Sequence, residues 1–169
     1  EGITKVIVSL KADSTIQREF TVYVLNDKIT SIIYSVKDIE KENEENDRII
    51  IGSEEGVTIG EFLDNLDNPT ELLNVYDDAG HKLKDNDTVR TGLIVKLEKK
   101  NIVYDEAVII VRGDIDCSGI IDVSDDSMIL EDILSLTPVE GYVRYAADVL
   151  EDEILDVTDE SMVLEDVLG

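Results

Sequence analysis

The chain is poor in residues that carry covalent or stacking chemistry: its 169 residues hold one cysteine, one histidine, two phenylalanines, two prolines and no tryptophan. The single thiol, Cys117, excludes an internal disulfide, and without a nucleophilic constellation it reads as a small filler. His81 stands in the turn Asp77-Asp78-Ala79-Gly80-His81, a loop tip with no catalytic partner set. So few aromatics leave little for a sugar-stacking platform. Positive charge is also scarce. The 15 Lys and Arg against 40 Asp and Glu give a net charge of −25, which argues against nucleic acid and anionic membranes as partners. Carboxylates this common single out no catalytic pair, so no active site is expected. No apolar run has membrane length and no secretory leader is seen; the chain opens inside an apparent strand and reads as a fragment of a larger secreted protein.

What is present is a repeat. Residues 122–134 read DVSDDSMILEDIL and residues 156–168 read DVTDESMVLEDVL, an offset of 34 with conservative differences only. Two copies of one small unit are implied. In the first copy Asp114, Asp116, Ser118, Asp122 and Asp125 place side-chain oxygens at loop positions 1, 3, 5, 9 and 12, with Gly119 at position 6. That is the spacing of a calcium loop, which wraps the ion in six to eight oxygens at about 2.3–2.6 Å. Gly119 permits the sharp turn, Ile120 would offer its backbone carbonyl, and Ile121 turns toward the core. Closure by Asp125 instead of a longer glutamate indicates a tighter, constitutive site. The second copy keeps Asp148, Asp152, Asp156 and Asp159 at positions 1, 5, 9 and 12, with Ile154 supplying a carbonyl, but has Leu150 at position 3 and Glu153 at position 6. It is expected to bind calcium more weakly, or to hold its shape by hydrogen bonds without the ion. Residues 113–169 contain 17 Asp or Glu and one cation, Arg144, a net −16 that repels itself unless cations bind.

A helix is expected after each loop, with Asp125 and Asp159 as N-caps. Met128, Ile129 and Ile133, like Met162, Val163 and Val167, recur at helical spacing and read as core. Leu130 and Leu164 fall off that stripe, beside Glu131 and Glu165, as loosely buried edge residues or as exposed partner contacts.

The run GDIDCSGIIDVSDDSMILEDIL, a linker, then AADVLEDEILDVTDESMVLEDVL resembles a dockerin module over residues 113–169. The resemblance implies two calcium-loop-plus-helix segments that plug a parent protein into a cohesin domain of a cellulosome-type scaffold, with the chain a monomer on its own. The residues it implies for partner contact are Val123, Ser124, Leu130 and Glu131 in the first copy and Val157, Thr158, Leu164 and Glu165 in the second. Their near-identity allows either face to dock, in orientations about half a turn apart, or one face to dominate. A rival reading is a calcium-stabilised stalk or adhesion fragment without a cohesin. Exposure of Val123, Leu130, Val157 and Leu164 would favour docking; burial of all four would favour the stalk.

Residues 1–112 read as mostly β, with room for a division into two sub-modules near residues 26–48. Lys5–Leu10 and Phe20–Val24 flank a polar turn as a hairpin, and Ile29–Val36 and Arg48–Ile51 are strand candidates around a charged loop at Glu40–Asp47. Thr58 caps a short helix to Leu66. Leu72–Tyr76, Leu93–Leu97 and Ala107–Arg112 complete the strands, with turns at DDAG and KKN. Residues 57–112 look similar to the X-modules that directly precede dockerins, and residues 3–25 resemble the closing strands of an Ig- or cadherin-like sandwich. The expected fold class is therefore multidomain: an N-terminal β-rich accessory module, Ig-like or β-grasp-like, and a C-terminal all-α dockerin.

Overall fold

The computed structural model describes the backbone of residues 2–10, 13–24, 26–39 and 47–168, and the side chains of 17, 18, 26–39 and 48–168. Strands β1 (Gly2–Leu10) and β2 (Asp13–Val24) pair antiparallel as a two-stranded sheet. The expected hairpin is there, but residues 13–19 lie in β2 and not in a turn. A five-stranded sheet has the order β3 (Ser35–Ile39), β4 (Asp47–Ser53), β7 (Ile102–Val111), β6 (Ile94–Lys99), β5 (Leu73–Tyr76). All its pairings are antiparallel except β4 with β7. Lys100 and Asn101, both at positive φ, make the tight β6–β7 turn. Most of the charged loop read at residues 40–47 lies outside the described residues.

The central parallel pair decides the architecture. Ile49 sits beside Val108, Ile50 beside Ile109 and Ile51 beside Ile110. Because successive side chains alternate faces, this run of isoleucines is apolar on both. On one face Ile50, Ile109 and Val111 join Leu73, Val75, Val95 and Leu97 under helix α1 (Ile59–Asp64), which contributes Ile59, Phe62 and Leu63. On the other, Ile49, Ile51 and Ile110 pack with Ile115, Ile129, Ala146, Ala147 and Val163 from the C-terminal segment. That segment forms α2 (Val123–Ile133), α3 (Val143–Ala147) and α4 (Val157–Leu168), with α2 and α4 in contact.

The expected fold class is corrected here. The chain is a small mixed α/β protein, with a five-stranded sheet and four α-helices among the described residues, and not a β-rich Ig-like or β-grasp-like module beside an independent all-α dockerin. The physical reason lies in the parallel strands: runs such as Ile49–Ile51 and Ala107–Val111 are buried on both faces, and the second face is covered by the C-terminal helices. One core cluster is contributed from both sides of residues 112/113.

Thr58 caps α1 as expected, in a capping box with Glu61. The strand read at Ile29–Val36 is mostly a loop, with β3 starting only at Ser35. Its backbone donors go to side chains instead of a ladder: Ile29 N–H to Asp105, Thr30 N–H to Asn68, Ile33 and Tyr34 N–H to Ser31 Oγ. No periodicity in the sequence marks the short α3. No helix among the described residues is long and apolar enough to cross a membrane.

Candidate functional site

The strand β7 runs into the first loop through Gly113. Its φ is +84°, and a Cβ on it would stand 3.1 Å from the Ile121 side chain, so both the backbone and the packing favour glycine. One oxygen each from Asp114, Asp116 and Asp125 then lie within 4.8 Å of one another, and Asp114 and Asp125 are fully buried. Two oxygens on opposite sides of one Ca²⁺ sit about 5 Å apart, so the three carboxylates are spaced to share a cation of that size. Asp125 Oδ1 accepts from the N–H groups of Ile115 (2.7 Å) and Asp116 (3.0 Å), and Oδ2 from Asp122 (2.9 Å). Asp114 accepts from Gly119 N–H (3.0 Å) and Thr91 N–H (2.7 Å). Each carboxylate oxygen has two lone pairs, so both Asp114 oxygens and Asp125 Oδ2 retain one for a metal. Ser118 Oγ accepts from the Ile120 N–H and donates to its carbonyl, and Asp122 stands at the rim. All the donors are oxygen, the set a hard cation takes.

The second loop copies this wiring. Asp148 accepts from the N–H groups of Asp152 (3.1 Å) and Glu153 (2.9 Å), and Asp159 from Leu150 (3.2 Å) and Asp156 (3.2 Å). Asp152 accepts from Ile154 N–H at 2.9 Å. The backbone matches too: positive φ recurs at Cys117 and Glu151, then at Gly119 and Glu153. Glu153 therefore adopts the turn its glycine counterpart makes, at some conformational cost. Leu150 supplies no oxygen side chain, and no second metal-sized group of acids is found among the described residues.

Asp125 and Asp159 are not the N-caps. Asp122 caps α2 by accepting Ser124 N–H, with Asp125 at the third helical position completing the box. Asp156 does the same before α4 through Thr158. Those N–H and hydroxyl donors hold both cap carboxyls below the usual carboxylate range: the Ser124 backbone leads at Asp122, the Thr158 hydroxyl at Asp156. Burial pushes Asp125 up against the pull of its three amide donors. Burial, with Asp114 nearby, pushes the Cys117 thiol up to about 11, which keeps it protonated and inert.

Both loops are braced by cations from earlier in the chain: Arg90 in the loop before β6, Arg112 directly after β7 and Lys37 in β3. Arg90 donates to Cys117 O at 3.2 Å, beside Gly119. Arg112 pairs with Glu151, and Lys37 Nζ lies 3.6 Å from the same carboxylate. These contacts have no sequence motif. A cleft of about 640 Å³ between β3, α3 and the second loop mixes Lys37 and Arg144 with Asp38, Asp148, Glu151 and Glu153. His81 bonds Asp77 within its own exposed turn.

Of the residues expected to contact a partner, Val123 is 64 % exposed, Val157 59 % and Leu130 42 %, while Leu164 is half-buried. Ser124, Glu131, Thr158 and Glu165 are exposed. Ile129 and Val163, one position earlier than each leucine, are fully buried. Met162, read as core, is 41 % exposed, whereas Met128, Ile133 and Val167 pack at the edge of the core. Comparison of the chain with protein-family models, with curated proteins and with solved structures finds no match.

Proposed function

We propose that this protein is a calcium-dependent docking element that binds a cohesin domain and anchors a larger secreted protein to a cellulosome-type scaffold. The five-stranded sheet serves as the structural companion on which the docking helices are mounted. It is not an enzyme in this reading, and it docks as a monomer. The observation that carries the proposal is the division of labour within the repeat. In each copy one apolar residue enters the core, Ile129 or Val163, while the residues around it, Val123, Leu130 and Val157 among them, face solvent on helices held by the same loop wiring. An apolar surface left uncovered at Val123, Leu130 and Val157, with Leu164 half-buried, fits an interaction site. A self-contained stalk would instead bury these residues against the sheet.

Calcium is assigned to the first loop through Asp114, Asp116, Ser118, Asp122 and Asp125 and the Ile120 carbonyl. The second loop, with Asp148, Asp152, Asp156, Asp159 and the Ile154 carbonyl, is assigned weaker binding or none. Bound in the first loop, the ion would neutralise the buried carboxylates and fix the direction of α2. The test mixes the protein with a panel of cohesins, with calcium and with chelator. Binding in calcium that is lost in chelator, and lost in Asp114→Ala with Asp125→Ala, is the expected result. Calorimetry showing no calcium uptake, or no cohesin bound, would sink the proposal.

A further inference from the structure

We infer that the partner surface these helices meet is basic: an apolar centre rimmed by lysine and arginine side chains. This rests on the docking reading above and adds the chemistry of the partner. On α2 the exposed apolar residues Val123, Leu130 and Leu134 run beside Glu131, and on α4 Val157 and Met162 run beside Glu165 and Asp166. Among the described residues no Lys, Arg or His pairs with Glu131 or Glu165, and five cations of the chain are committed to other partners. Arg90 is held by Asp78 and the Cys117 carbonyl, Arg112 and Lys37 by Glu151, Arg48 by Asp105, and Arg144 by Asp132. Residues 113–169 contain no lysine and carry −16, which two calcium ions would reduce only to −12. Covering this face with a neutral or acidic surface would desolvate carboxylates with nothing to receive them, and like charges across an interface exclude partners. An apolar patch with free carboxylates at its rim is complementary to an apolar patch with cations at its rim.

The experiment uses the full chain in saturating calcium against cohesins whose docking faces range from acidic to basic, at about 50 to 500 mM NaCl. Basic-faced cohesins should bind, with an association rate that falls about tenfold or more across that range while dissociation changes little. Glu131→Gln with Glu165→Gln should lower the association rate and flatten its salt dependence without altering the circular dichroism spectrum. Glu131→Lys with Glu165→Lys should shift preference toward acidic-faced cohesins. Tight, salt-independent binding of an acidic-faced cohesin by the wild type would overturn the charge inference and leave docking intact. Equal binding of polylysine would also overturn it, by reducing the attraction to a non-specific one. Failure to bind any cohesin in calcium would overturn both.

Discussion

Glu151 lies at the surface, yet its carboxylate is engaged by two cations, Lys37 in β3 and Arg112 just past the end of β7. The Arg112 guanidinium bonded to it, helped by Lys37, holds its carboxyl below the usual carboxylate range against a smaller opposing effect of burial. A carboxyl whose folded pKa is depressed stabilises the fold above its ordinary pKa and loses that contribution as pH falls through the folded value. Glu151→Gln should therefore cost about 0.5–1 kcal/mol at neutral pH, the modest contribution of an ion pair screened by solvent. Urea midpoints should show that difference closing below the ordinary carboxylate range; a difference constant with pH would assign it to packing. Glu153, two residues on, holds φ at 68°. A left-handed L-residue costs about 1 kcal/mol, partly offset by the greater unfolded-state freedom of glycine. Glu153→Gly should raise the melting temperature by about 1–3 °C; a lower one would mean that the Glu153 side chain contributes a contact. At this scale the convergence of Asp114, Asp116 and Asp125 was legible because oxygen side chains at that spacing fold into one compact loop. The braces were not. Thr91, Arg90 and Arg112 reach their partners across 23, 27 and 39 residues of chain, Lys37 from farther still, and none obeys a local period.

Helices α2 and α4 each send one fully buried apolar residue, Ile129 and Val163, into the core shared with the sheet. Ile129 packs with Ile49, Ile51 and Ile110 across the helix–sheet contact. Ile129→Ala should cost about 2–5 kcal/mol, the transfer free energy of the lost methylenes plus a cavity that the sheet cannot fill. Leu130→Ala, at a 42 % exposed position, should cost less than about 1 kcal/mol. Thermal unfolding of the two variants side by side checks the assignment of inner and outer faces. The helical period placed Ile129 and Val163 correctly but admitted Met162, whose flank of α4 meets solvent; periodicity gives a face and not its edges. The expected N-caps, Asp125 and Asp159, stand too late in the chain because Asp122 and Asp156 are the same residue type. Only the direction of the N–H donors separates a cap from the third helical position. Ile29–Val36 failed as a strand for a related reason. Its apolar content is strand-like, yet Ser31, Asn68 and Asp105 take its amides before a neighbouring strand can.

Across the whole molecule, individual strands were readable while their assembly was not. Ile49–Ile51 and Ala107–Val111 looked like ordinary strands of a β module; what their continuous apolarity demanded was a cover on both faces, and the acidic C-terminal segment provides one of them. Because Ile49, Ile51 and Ile110 share a core with Ile129 and Val163, sheet and helices should unfold in one transition. Matching melting curves from far-ultraviolet circular dichroism and from calorimetry would show this, and two resolved transitions would refute it. The junction at Gly113 carries a further consequence. Its N–H is bonded to Ala146 O at 2.9 Å, and the next residue is already a buried loop carboxylate bonded to Thr91. The joint between β7 and the helices has no swivel. The exposed faces of α2 and α4 are thus aimed by the axis of a central strand, and docking as proposed would leave little rotational freedom to be lost. In the docking proposal, this joint would give the interaction a bearing as well as an anchor.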